Sequence, residues 1–204
     1  MKKIVAESLN EWLFESKNET EETYGYVMLY TNMRDWEEIH TSGIDPEDVY
    51  IKPLDDSYGL ETEPHMTLLY GIYEDETDPE IVLNVIKENM EDVTVVISKI
   101  SIFENEEYDV VKYDIPLTKQ ILKYRKIFED NFENTQDFPE YLPHMTIAYV
   151  KPGEGKKYVS DLDEPFKVTF TKGVYSYHEE NEDGEVELKT KNYVFNTNDE
   201  EYEL

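Results

Sequence analysis

The chain carries one short segment twice, and this repeat limits the folds open to it. Pro64-His65-Met66-Thr67-Leu68-Leu69-Tyr70 aligns with Pro143-His144-Met145-Thr146-Ile147-Ala148-Tyr149, with five of the seven positions identical and the other two apolar. Both copies are rich in strand formers, and successive side chains of a strand point to opposite faces of a sheet. That alternation groups His65, Thr67 and Leu69 on one face and Met66, Leu68 and Tyr70 on the other. The second copy repeats the split, with His144, Thr146 and Ala148 against Met145, Ile147 and Tyr149. The Met/Leu/Tyr face is suited to lie under a helix, which leaves the His/Thr face to line a groove. Two lobes related by a pseudo-twofold axis would bring both His/Thr faces to one central cleft. A lone strand histidine usually means little, but two of only four histidines here sit in matched settings. The others, His40 in an irregular stretch and His178 before an acidic turn, read as surface residues.

The flanking sequence supplies the rest of the architecture. Tyr24 to Thr31 reads as a strand, and residues 34–58 as loops with one short helix starting at Asp45-Pro46. Asp78-Pro79-Glu80 offers an N-cap, a first-turn proline and an acid to a helix with apolar Ile81, Val82, Val85 and Ile86. Val93 to Phe103 and Tyr108 to Ile115 read as strands. Thr118 can cap a second helix with Ile121, Leu122, Phe128 and Phe132 inward. Phe166 to Tyr177 and Glu185 to Phe195 form a hairpin. Strands and helices mix without regular βαβ alternation. The expected class is α+β, with two antiparallel sheets around a central cleft and helices outside. Residues 1–23 read as an amphipathic helix (1–15) and an acidic linker, residues 24–196 as the domain, and residues 197–204 as an acidic tail.

Charge then narrows the ligand. Asp and Glu total 48 against 19 Lys and Arg, a net charge of −29. Such a surface opposes long RNA or DNA, whose non-specific affinity comes from basic residues neutralising phosphates. A small anionic substrate is still compatible if the cleft is locally less acidic. No stretch approaches the roughly 20 apolar residues that span a bilayer, and the N-terminus lacks a signal-peptide core. The chain has no cysteine, so disulfides and thiolate metal sites are excluded; a cytoplasmic location without membrane contact is the matching expectation. Histidine titrates near neutrality, so one imidazole can take a proton from an attacking oxygen while another gives one to the leaving oxygen. The paired threonine hydroxyls can donate to phosphoryl oxygens as charge builds there. This division of labour needs neither metal nor other cofactor, and two histidines without an obvious third ligand fall short of the usual metal sets.

The paired strands resemble the His-x-Thr motifs of the two-histidine phosphoesterase superfamily, over about residues 24–195. The resemblance implies a bilobal fold and nominates His65, Thr67, His144 and Thr146 as catalytic, with Met66 and Met145 as the hydrophobic residues between. It implies a phosphodiesterase acting on cyclic phosphodiesters or small 2′–5′ or cyclic (oligo)nucleotides. These include the messengers cleaved by phage enzymes, which would act in the host cytoplasm. Tyr26 and Tyr30 could stack on a base, and Lys52 and Lys151 could offset the acidic field near a phosphate. The N-terminal extension and the acidity depart from the family pattern. A second reading is a non-catalytic binding or structural module, docked on a protein partner through residues 1–15. A third, RNA ligation or end processing, is opposed by the charge.

Overall fold

The computed structural model describes residues 23–33, 36–53, 55, 57–135, 140–181 and 183–195. The expected N-terminal helix with its linker up to residue 22, and the acidic tail, lie outside the described residues. Among the described residues, seven strands form: β1 (Tyr24–Thr31), β2 (His65–Tyr73), β3 (Val93–Glu104), β4 (Asp109–Asp114), β5 (His144–Val150), β6 (Ser160–Glu180) and β7 (Val186–Val194). Two α-helices accompany them among the described residues, α1 (Pro79–Asn89) and α2 (Lys119–Asn131). All strand pairs are antiparallel and the fold is α+β, in the order β2-β1-β6-β3-β4-β5 with β7 also on β6. The two sheets read from the sequence are two wings of one hydrogen-bonded path. The 21-residue β6 joins them. Its first half pairs with β3, from Ile100↔Ser160 to Val93↔Phe170, and its second half carries β1 and β7. Among the described residues, no helix is long and apolar enough to cross a membrane.

The helices start where the sequence places them. The Asp78 carboxylate accepts from Glu80 N and Pro79 fills the first turn; the Thr118 hydroxyl accepts from Ile121 N. Helix α1 packs on β6 and β7, and α2 on β2. Their buried faces are Val82, Leu83 and Ile86, and Ile121, Tyr124 and Phe128. The helical period selects Leu83 and Tyr124 over the exposed Ile81 and Leu122. The helix expected at Asp45-Pro46 is a single turn, closed by Asp48 N donating to Asp45 O. A short π-type turn forms instead over Glu37–Thr41.

Strict alternation along the repeats breaks at one residue in each copy. On β2, Met28 pairs with Thr67 but Val27 pairs with Leu69, so Leu68 is an extra residue. On β5, Lys112 pairs with Thr146 but Val111 pairs with Ala148, so Ile147 is the extra residue. A β-bulge of this kind shifts every later side chain to the opposite face. Leu69 and Ala148 therefore enter the core with Leu68 and Ile147. Tyr70 and Tyr149, read from the sequence as core-facing, continue the His/Thr face and stand beside Tyr26 and Val110.

Each motif strand would be an exposed sheet edge, and each is covered by the chain leading into the other motif. Along β5, Tyr50 N donates to Tyr149 O, Tyr149 N to Gly59 O and Glu61 N to Ile147 O (3.0, 2.8 and 2.9 Å). Along β2, Tyr73 N donates to Glu133 O and Thr135 N to Gly71 O (3.1 and 2.8 Å). There Arg125 also reaches Leu68 O and the Tyr141 hydroxyl reaches Thr67 O. Gly71 permits the close approach: its φ is +90°, and a Cβ there would lie 2.2 Å from Thr135 Oγ1. Gly71→Ala should therefore destabilise the protein by about 1–3 kcal/mol, from left-handed backbone strain plus the displaced Thr135. Urea unfolding of both proteins measures this, and an unchanged midpoint would show that this edge contact is dispensable.

Candidate active site

Both histidines are fixed by the same local bond. His65 Nδ1 lies 2.7 Å from Glu63 O, and His144 Nδ1 lies 2.8 Å from Leu142 O. A carbonyl can only accept, so each Nδ1 carries the proton and each Nε2 is left to bind a ligand. The intervening Pro64 and Pro143 favour an extended residue before them, which sets these carbonyls two positions upstream of each ring. The proline carbonyls are anchored in turn, by Thr31 N (3.3 Å) and Ile115 N (3.0 Å). Thr67 and Thr146 stand two residues on, before either bulge, on the same face as their histidines. Thr67 is half-buried and Thr146 is buried.

The two rings have different neighbours. His65 pairs across the sheet with Tyr30, whose ring lies 5.3 Å away, and Lys172 Nζ sits 4.6 Å from the Tyr30 ring centroid. A carboxylate oxygen of Glu61 lies 3.8 Å from His65 Nδ1. His144 pairs with Asp114 and meets Phe103 edge-on at 4.9 Å. Lys112, opposite Thr146, is buried: its Nζ donates to Asp114 Oδ1 (2.6 Å) and Ser101 Oγ (2.7 Å) and lies 4.2 Å from the Phe103 centroid. Burial pushes the pKa of His144 down to about 4, with the charges of Lys112 and His65 acting in the same direction. The Leu142 hydrogen bond and Asp114 oppose that fall. His65 thus belongs to the electrostatic surroundings of His144, and β2 touches β5. Burial raises the Asp114 pKa, but its bonds to Lys112 and Ser101 prevail and hold the carboxyl below its usual range.

Of the other residues singled out from sequence, Tyr30 stands at His65. Tyr26 lies farther along the same face, its ring 6.1 Å from that of Tyr70. Lys52 sits over Tyr58, 5.4 Å from the ring centroid. That tyrosine belongs to a cluster with Tyr108, Val110, Tyr50, Tyr149 and Phe103, and Phe103 links it to His144. Lys151 follows the far end of β5 from His144 and donates to Glu47 O (2.6 Å), so the fold does not bring it to the histidines. His40 and His178 are not free surface residues. The His40 ring is stacked on Trp36 (4.8 Å), lies 5.0 Å from Phe166 and bonds the Tyr113 hydroxyl, and burial lowers its pKa. His178 is tied to the buried Glu74 carboxylate by both its backbone N and Nδ1. Lys112, Asp114 and Ser101 were missed, although Lys112 and Asp114 alternate with the core residues Val111 and Tyr113. Among the described residues, no three His, Asp or Glu side chains converge as a metal site.

A family model described as the 2'-5' RNA ligase superfamily matches residues 36–180. No curated protein matches the chain. Among solved structures, E. coli LigT complexed with 3'-AMP is similar in fold, with a TM-score of 0.57 at 11% identity, covering 87% of this chain and 100% of that one. LigT in its apo form gives a TM-score of 0.51 at the same identity and coverage. TT0787 of Thermus thermophilus gives 0.54 at 12% identity, covering 84% of this chain and 97% of that one.

The lowered pKa of His144 has a sign that can be measured. Between about 6.5 and about 4 the unfolded chain takes up a proton on this imidazole and the folded chain does not. Stability is therefore lost as pH falls through that window, and above it this group has no such effect. Ring resonances of His144 should titrate near pH 4. His144→Gln should flatten the fall in urea stability over the same interval, and a His144 midpoint near 6.5 would show that its surroundings do not disfavour the imidazolium.

Proposed function

This chain belongs to the 2'-5' RNA ligase superfamily and is a two-histidine phosphoesterase, and from that premise we propose that it is a metal-independent phosphodiesterase of cyclic phosphodiesters and small 2′–5′ or cyclic (oligo)nucleotides. The observation that supports the reading is the matched pair of Nδ1–carbonyl bonds, which leaves one Nε2 on each wing free for a ligand. His144, unprotonated at neutral pH, is the base. It takes a proton from the attacking water as the water oxygen bonds to phosphorus. His65, beside Glu61, is the acid: entering as the imidazolium, it gives its Nε2 proton to the departing ribose oxygen as that P–O bond breaks and keeps the Nδ1 proton on Glu63 O. The products are a phosphomonoester and a free hydroxyl. Thr67 and Thr146 donate to the non-bridging oxygens, where charge accumulates in the transition state. Tyr30 supports the His65 ring and offers a face to a base.

The net charge of −29 favours small substrates over long RNA. The fold relative LigT has been crystallised with 3'-AMP, a ligand of that size. Cyclic oligonucleotide messengers of the kind that phage enzymes cleave fall within the same class, and would place the protein in a host cytoplasm.

A panel of 2′,3′-cyclic nucleotides, 2′–5′ oligomers and cyclic dinucleotides, with products resolved by chromatography, tests this function. Turnover should survive EDTA; abolition by chelator and rescue by one divalent ion would point to metal-assisted hydrolysis instead. His65→Ala and His144→Ala should each lower the rate about 10²–10⁴-fold. The double variant should be little worse than either, because the pair acts as one unit. Thr67→Ala and Thr146→Ala should cost less, since the proton transfers remain. Undiminished turnover in both histidine variants would move the chemistry elsewhere.

A further inference from the structure

The two motif histidines share their hydrogen bonding but sit in opposite fields. His65 faces the Glu61 carboxylate. His144 faces a group in which one carboxylate serves two ammonium ions. Asp114 Oδ1 binds Lys112 Nζ at 2.6 Å, and its Oδ2 lies 4.0 Å from Lys99 Nζ. With Ser101 neutral, the group is net positive, in a chain whose net charge is −29. The Lys112 side chain is only 5% exposed, so solvent screens its charge little. Burying an ammonium is unfavourable unless it is paired, and here the hydroxyl, the carboxylate and the π-face of Phe103 satisfy it. The same Phe103 ring meets His144, so one side chain packs against both the cation and the imidazole. The charged groups acting on His144 are Lys112 and Asp114 on β4 and His65 on β2, with Lys99 on β3 behind Asp114.

We propose that Lys112 is a positioning residue for the chemistry: locked beside His144 and Thr146 by Ser101, Asp114 and Phe103, it holds a fixed positive charge at this one of the two matched rings and so adds to burial in setting His144 apart as the base. This rests on the phosphodiesterase reading above, and it explains how two equivalent motif copies take unequal roles. At His144 the Lys112 charge acts in the same direction as burial, and Asp114 acts against both.

The decisive measurement is an NMR titration of the His144 ring in the wild type, Lys112→Met and Asp114→Asn, alongside pH profiles of kcat/KM. Lys112→Met should raise the His144 midpoint by on the order of one pH unit, and Asp114→Asn should lower it. The acid limb of kcat/KM should move with the midpoint in each variant. Opposite signs distinguish a charge effect from a structural one, which would move both variants the same way. An unmoved midpoint in a folded Lys112→Met protein would overturn the proposal, as would shifts of equal sign. Should Lys112→Met fail to fold, Asp114→Asn still decides, because a midpoint that stays or rises there is equally contrary. The NMR shifts support the role of Lys112 on His144 even where no phosphodiester is turned over, an outcome that would overturn the catalytic reading instead.

Discussion

The reciprocal covering of the two motif strands is the constraint on which the site depends. The chain entering the first motif seals β5, and the chain entering the second seals β2. Each backbone bond in this exchange contributes only about 0.5–1.5 kcal/mol net. Together they do what no single contact could. They remove two open sheet edges, which would otherwise invite pairing with other chains, and they tie each wing to the other beside its histidine. Glu61 shows the coupling at one residue: its N–H closes β5, its carbonyl accepts from Trp36 Nε1 at 2.7 Å, and its carboxylate stands near His65. A site built from two strands must hold its side chains to within about 0.5 Å, and here both motif strands have their edges closed by backbone hydrogen bonds.

The bulges extend the same logic. Each comes one residue after the threonine, so His and Thr keep their common face while the following tyrosine is brought round to join it. A straight strand would have turned Tyr70 and Tyr149 to the opposite face, with Met66 and Met145. The carbonyls at the bulges find partners from the covering segments, Arg125 for Leu68 and Glu61 for Ile147. The distortion is thus satisfied by the very chain that crosses to it.

The motif strands, the helix caps and the antiparallel α+β class were legible because each follows from local rules: alternation, capping and strand-forming residues. The face of Tyr70 and Tyr149 was not, since nothing in Leu68-Leu69 or Ile147-Ala148 announces an extra residue; the bulge is a property of the pairing with β1 and β4. His40 was misread for a related reason. Its aromatic neighbours Tyr113 and Phe166 come from distant parts of the chain, so its burial has no local signature. Lys112 and Asp114 sit on a strand whose alternate residues are core, and among 48 acidic and 19 basic side chains one more of each carried no signal. Only the register against His144 and Thr146 singles them out.

The long strand β6 has a consequence for how the protein comes into being. β1 and β3, the inner strands of the two wings, do not pair with each other, and within the sheet residues 160–176 of β6 lie between them. Until that stretch leaves the ribosome, a nascent chain holds both motifs but no common strand between them. The pairing of Tyr26 with Ser176 must also close a loop of most of the chain's length, an entropically slow step. The crossed edge contacts can form before this stretch emerges, but the sheet closes only with it, and until then the emerging chain must keep the edges of β1 and β3 unpaired.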